Sequence, residues 1–463
     1  MLRTRNEQPT LWESILPEEL LRLPAELARV DALLDDERFF APFRAYFDPL
    51  FGRPSIPTET YLRLMFLKFR YRLGYESVCA EVADSIGWRR FTRIGIDGKV
   101  PHPTTLMKIT TRCGSEVIEQ LNEALLAKAT EGKLLRVGKV RADTTVVSAN
   151  VDYPTDAGLL AKAVRRIGRI VRRVKATGAA TGTRCPDHAR AAGRRARQIA
   201  SKLRLRGAQA KDEAQQVVRQ ATAALARLAS RSAADAQAVL RNARRALRTA
   251  TGRRGGQLRR AVNELATTIQ ATTVVAAQAR SRLAGVMPDA AGRVVSLHDR
   301  DARPIVRGRL GRPVEFGYKA QVCDNDDGVI VDYTVEQGNP ADAPQLAPAV
   351  ARITRRAGRP PRVVAADRGY GEARVDVELH ALGVRTVAIP RKGQPGQARR
   401  AVEHRPAFRR LVKWRTGCEG RIAHLKRRSG WDRTLLDGLD GARTWCGHGV
   451  FAHNLTKISG LAG

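Results

Sequence analysis

The chain has 463 residues, 43% of them hydrophobic, and a formal net charge of +36 from 82 Lys and Arg against 46 Asp and Glu. Its length allows two or three domains with cores of their own, and its charge, far beyond what solubility requires, concentrates polyanions, so nucleic acid is the expected partner. No run of about eighteen apolar residues is present to span a bilayer, the opening MLRTRNEQPTLWES holds no apolar stretch of signal-peptide length, and six cysteines without a C-x-x-C pair argue against a zinc knuckle or disulfide framework, so a cytoplasmic, nucleoid-associated protein with reduced thiols is expected.

Residues 1–135 read as a helical N-terminal domain that binds DNA. Leu62, Met65, Phe66 and Phe69 recur at helical spacing before Gly74 interrupts, and a second helix is predicted over Glu76 to Ile86. Pro103 and Thr104 mark a further helix start, with basic groups between Met107 and Arg112. Short helices closed by a basic one resemble a helix-turn-helix reader, the alternative being a helical bundle with a solvated basic face. From Lys139 to Asn150 the β-branched run VRADTTVV predicts a strand, and a helix opens at Asp156.

Composition then changes. Between Ala161 and Ala290 the chain is rich in Ala, Arg and Gln, with roughly 29 Lys and Arg against 6 Asp and Glu, so residues 158–287 form a basic helical insertion. Leu258, Val262, Leu265 and Ile269 step by four, three and four, and Val218, Ala221, Leu225 and Leu228 repeat the pattern. Turns at Gly207, Gly178 to Gly182 and Gly252 to Gly256 would fold these helices into an antiparallel bundle or coiled-coil hairpin.

The second half of the chain alternates. FGYKAQVCDND and VIVDYTVEQG flank a turn at Asp327-Gly328 and predict a hairpin. A helix over Ala341 to Ala357, a strand over Pro361 to Ala366, a helix over Glu372 to Leu382, a strand over Arg385 to Pro390 and a helix over Phe408 to Arg428 follow. This order is that of an α/β, RNase H-like mixed sheet, split between residues 136–157 and 288–463 by the insertion.

Three acids stand out on this frame. Asp143 sits within an apolar strand, where a charge is costly without a ligand, and Asp367 ends VVAA where the chain leaves the sheet. Glu419 shares a helix with Arg415 and Lys426 at i−4 and i+7, so one carboxylate and two cations share a face. Carboxylates from separate elements can seat two Mg²⁺ or Mn²⁺ ions for phosphodiester chemistry. Routine surface salt bridges are the competing reading of the Glu419 helix. Lys319 and Arg368 are further candidates for DNA phosphates, or ordinary surface cations, and His298, His424, His448 and His453 read as packing or contact groups.

Arg415, Glu419 and Lys426 match R-x3-E-x6-K of the Y-x2-R-x3-E-x6-K signature of DDE transposases of bacterial insertion sequences. RADTTVVSANVDYPTD, SLHDRDARPIVRGRLGRPVEFGYKAQV, AADRGYG, WRRF and the closing AHNLTKI are also similar to that family. The resemblance implies that Asp143, Asp367 and Glu419 are the catalytic, metal-binding triad, with Arg415 and Lys426 on terminal DNA phosphates. It also implies double-stranded DNA partners, namely terminal inverted repeats and target DNA, and a homodimer in a synaptic complex. A nuclease of the same fold and a non-catalytic, decayed DNA-binding relative are the alternatives. Two features depart from the family pattern: Val412 stands where the signature has Tyr, and the insertion lies between Asp143 and Asp367.

Overall fold

The computed structural model describes Ile15 and residues 17–204, 208–309 and 312–462. The turn expected at Gly207 lies outside the described residues. The chain forms two compact units, Met1–Asn150 with Gly317–Gly463, and Val151–Phe316.

In the first unit the N-terminal helices are α1 (Ala25–Leu34), α2 (Thr58–Arg70), α3 (Tyr75–Asp84), α4 (Ile86–Phe91) and α5 (Pro103–Glu131). Helix α2 is apolar around its circumference, with Leu62, Leu64, Met65, Phe66, Leu67 and Phe69 all buried, so it forms the centre of the bundle rather than one side of it. Its two buried cations are accommodated differently. Arg63 donates from Nε to Asp31 Oδ1 at 2.6 Å, whereas the Lys68 ammonium lies 4.2 to 4.6 Å from the ring centres of Phe69, Tyr75 and Trp445, and burial pushes it down to about 8. Helix α5 starts with Pro103 at its first turn and bends at Gly114, whose φ is +61°. It is longer than the short basic helix expected there. Leu106, Ile109 and Cys113 face the core, while Met107, Lys108, Thr111 and Arg112 lie on the exposed side. Strand β1 (Lys139–Ser148) follows, buried from Val140 to Val147.

The second unit holds α6 (Asp156–Ala176), α7 (Ala189–Lys202), α8 (Ala208–Leu247) and α9 (Gly252–Leu283), then β2 (Arg303–Arg309). Thr155 caps α6 by accepting from Gly158 N–H at 3.1 Å. The predicted seam residues Leu258, Val262, Leu265 and Ile269 are buried against Ile167, Ile170 and Val171 of α6 and Val239 and Leu240 of α8. The far half of α9, through Val275 and Ala279, packs with Leu225 and Ala229 in the middle of α8, and its first half with Val239 and Leu240 near the end of α8, so the two long helices run antiparallel. The unit extends beyond the stretch marked off by composition at both ends. Strand β2 escaped the sequence reading because Arg303, Arg307 and Arg309 punctuate it and only Ile305 supplies a large buried side chain.

The sheet continues with β3 (Arg312–Asp324), which passes into the first unit at Gly317, and there with β4 (Ile330–Gln337), α10 (Ala343–Ala357), β5 (Val363–Ala366), α11 (Ala373–Ala381), β6 (Thr386–Ala388), α12 (Gln397–His404), α13 (Pro406–Arg428) and α14 (Gly438–Leu461). The strand path is β2-β3-β1-β5-β6, with β4 on β3. β1 pairs antiparallel with β3, from Arg141 opposite Asp324 to Ser148 opposite Gly317, and parallel with β5. The expected hairpin turn forms at Asn325 to Gly328, where Gly328 takes φ +76°. An antiparallel three-strand half continued by two parallel strands is the RNase H-like arrangement.

Trp445, Phe451, Leu455 and Ile458 of α14 share the core of the N-terminal helices, so those helices and the sheet belong to one compact unit. His448 stacks on Phe69 at 5.5 Å, and burial, then Lys68, push it down to about 3. His453 is buried at hydrogen-bond distance, 2.9 Å, from Gly328 O, and His424 packs edge-on to it. All six cysteines are free thiols, and among the described residues no helix is long and apolar enough to cross a membrane.

Candidate active site

The parallel register of β1 and β5 sets Ala142 beside Ala366. The next residue on each strand is therefore Asp143 and Asp367, and neighbouring strands run about 4.8 Å apart. Asp143 is only 8% exposed. Its Oδ1 accepts from Thr144 N–H at 2.7 Å and its Oδ2 from Arg415 Nη1 at 3.2 Å. Burial, then the charge of Asp367, push Asp143 up to about 6, against the pull of Thr144 N–H and Arg415. Asp367 accepts from Gly369 N–H at 2.9 Å as the chain turns out of the sheet. Burial, then the neighbouring Asp342, raise it above the usual carboxylate range.

Helix α13 brings the third acid. It begins with Pro406 and ends with Lys426, Arg427 and Arg428, an arrangement that suits the helix dipole. Its seat on the sheet depends on Arg141, two residues before Asp143 and so on the same face of β1. Arg141 donates from Nε and Nη2 to Asp324 at 2.8 and 2.9 Å and from Nη1 to Trp414 O at 2.8 Å, with its guanidinium 4.8 Å from the Trp414 ring centre. Gly417 permits this contact, because a Cβ there would come within 2.2 Å of Arg141 Nη1. The buried Cys418 thiol then points at Val322 O, 3.8 Å away, and Glu419 follows. Arg415 spans two of the acids, with Nη2 at 3.0 Å from Glu419 Oε1 and Nη1 on Asp143. Two such contacts across one guanidinium limit the separation of these carboxylates to about 9 Å. The Glu419 side chain is 59% exposed.

The remaining candidates occupy distinct places. The Lys319 ammonium is held at 2.7 Å from Pro340 O and 2.6 Å from Asp342 Oδ1, beside the acids. Arg368 is exposed and donates to Arg391 O and Gly393 O. Lys426 is half-buried near the end of α13.

Three contributors were not recognised in the sequence. Asp342 stands close to Asp367, since a Cβ on Gly369 would meet oxygens of both, at 2.9 and 3.0 Å. Nothing in GNPADAPQ distinguishes it from a turn aspartate. The Arg141 and Asp324 pair had a signal, two charges on inward-facing positions of apolar strands, and Gly417 had one in being a glycine within a helix.

The donor set is made of carboxylate oxygens, hard ligands that suit Mg²⁺ or Mn²⁺ rather than softer metals. Among the described residues no three His, Cys, Asp or Glu side chains stand close enough to hold an ion as a set. Arg415 lies between Asp143 and Glu419 and supplies the positive charge there. Its Nε is buried without a hydrogen-bond partner.

The cost of Asp143 is measurable. Its carboxyl titrates higher folded than unfolded, so the stability linked to it is present at acid pH and is lost as pH rises through about 6. In EDTA, Asp143→Asn is expected to exceed the wild type in stability at pH 7.5 by up to about 3 kcal/mol, with the gap closing near pH 4. Denaturant melts across that range test this; a gap independent of pH would contradict it.

The split mixed sheet, with Asp143 within β1, Asp367 just past the end of the adjacent β5 and Glu419 on the packed helix, has the form of an RNase H-like core. Two family models match the chain, the Transposase domain (DUF772) at residues 16–112 and the Transposase DDE domain at residues 300–455. The chain belongs to the DDE transposases of insertion-sequence type. The second match includes Asp367 and Glu419, Asp143 precedes it, and most of the helical unit lies outside both. No curated protein and no solved structure matched the chain.

Proposed function

We propose that the chain binds the ends of a mobile DNA segment and cuts and rejoins DNA, with Asp143, Asp367 and Glu419 as its catalytic carboxylates. The observation that carries this reading is the β1 and β5 register, which sets two aspartates side by side under a helix that Arg141 and Gly417 hold against the sheet. Drawn together once Arg415 no longer lies between Asp143 and Glu419, the three carboxylates would hold two Mg²⁺ or Mn²⁺ ions, which when bound supply Lewis acidity to attacking and leaving oxygens. Asp143 is a buried charge waiting for a counter-charge, and Arg415 supplies part of it. Once freed from the acids, Arg415 turns its guanidinium to a terminal phosphate, joined by Lys426 and Arg368. Lys319 keeps Asp342 paired beside Asp367, and its own charge adds to the field that phosphate meets.

The exposed side of α5, with Met107, Lys108, Thr111 and Arg112, reads the terminal inverted repeats of double-stranded DNA. Two ends must be held together for rejoining, so the working form is a dimer. A test supplies precut ends bearing a 3′-hydroxyl together with a supercoiled target plasmid and Mg²⁺. Joined products are the expected result. Cleavage of uncut ends without any joining would reduce the activity to that of a nuclease.

A further inference from the structure

The helical unit carries a surface that the chemistry at the acids does not use. Between Asp235 and Glu264 the chain has eight arginines and no acid. Four of them, Arg241, Arg244 and Arg245 in the last turns of α8 and Arg248 just past its end, recur at i, i+3, i+4 and i+7 and are all exposed. They form a stripe opposite the buried Ala236, Val239, Leu240 and Ala243. At 1.5 Å per residue the stripe spans about 10 Å, a length over which duplex DNA presents about six phosphates.

The turn into α9 adds an independent observation. Its first turn holds Arg253 and Arg254, both exposed, with no acidic residue there, and Thr251 gives no side-chain cap. Cations at a helix N-terminus oppose the dipole, and the first N–H groups there lack partners within the helix, so this end is built against its own stability unless an anion sits on it. The turn is also tight, since a Cβ on Gly255 would come within 2.6 Å of Ala250 O. No large apolar side chain is exposed between Arg241 and Arg260. That disfavours a membrane surface, which basic helices enter through exposed apolar groups.

We infer that the arginine-studded tip of the α8 and α9 hairpin is a second DNA-binding surface, which grips the phosphate backbone of duplex DNA without reading its sequence. This inference rests on the proposed function for the presence of DNA, but not on the carboxylates. Guanidinium groups on a stretch of chain without acids supply charge to phosphates at any sequence, and the tight turn keeps them together.

The test uses the full chain and random-sequence 30-bp duplexes, with anisotropy followed across a KCl series. Arg244, Arg245, Arg253 and Arg254 are changed together to Gln, and separately together to Lys. The Gln variant is expected to lower the slope of log K against log salt by about 3 to 4 and to weaken binding at least about tenfold, equally for unrelated sequences. The Lys variant is expected to keep most of the slope. A Gln variant with the wild-type slope overturns the inference, as does a Lys variant as weak as the Gln one, which would mean a structural loss. Tighter binding to phosphatidylserine vesicles than to duplex also overturns it. Because the carboxylates are intact in both variants, cleavage of bound ends reports on the catalytic reading separately.

Discussion

Replacing Asp143 with Asn is expected to lower cleavage of element ends by at least about 10³-fold, or about 4 kcal/mol in the barrier, while end binding stays near wild type. The asymmetry follows from the site. Asp143 is buried on the sheet between Asp367 and Arg415 and carries no positive charge with which to hold phosphate, whereas under the proposed function its carboxylate is one of the hard oxygen donors of the reaction. Asn keeps the shape and one acceptor oxygen while removing the charge. Asp367→Asn and Glu419→Gln should lose as much, and combining any two should cost little more than one, because the three act as a unit. Rate measurements on prebound DNA decide this. A triad variant that still cleaves at a tenth of the wild-type rate would remove the carboxylates from the chemistry.

Asp324→Ala should be the most damaging substitution outside the triad, with an expected loss of about 3 to 5 kcal/mol. Asp324 is fully buried and takes both prongs of Arg141, with Arg421 Nε at 3.4 Å from the same carboxylate. Without it, Arg141 remains as an unpaired cation in the interior, and the link from Arg141 to Trp414 O that seats α13 weakens with it. Because ordinary domains are stable by only about 5 to 15 kcal/mol, the variant should unfold at a much lower urea concentration and lose cleavage. Replacing both members with apolar residues, Arg141→Met with Asp324→Leu, should recover most of the stability and little of the activity. If the double variant also regains full cleavage, the pair contributes to packing only and does not position Glu419.

Apart from β2, the strands and their sequence along the chain were legible because they rest on local patterns. β-branched runs such as VRADTTVV and VVAA specify strands whatever surrounds them, and Asp143 is conspicuous as a charge in an apolar strand. The seam of α9 was legible for the same reason, since Leu258, Val262, Leu265 and Ile269 repeat at helical spacing. What escaped depends on contacts between distant residues. The closeness of Asp342 to Asp367 arises only when the start of α10 meets the end of β5, and the sharing of one core by α2, α5 and α14 follows from how complementary apolar faces meet. The present position of Arg415, spanning Asp143 and Glu419, likewise depends on the β1 and α13 contact rather than on helical spacing alone.

Ser148 and Gly317 face one another across adjacent antiparallel strands, although 168 positions separate them along the polypeptide. The helical unit thus leaves and re-enters the sheet at points that a two-residue bend could join. Enlarging such an excursion adds only a slowly growing logarithmic term to the entropy of closing it, and apart from β2, which pairs with β3 from within the helical unit, no strand has to change partner. A catalytic sheet wired in this way can acquire, exchange or shed a large appendage during descent while its reactive centre keeps the same geometry.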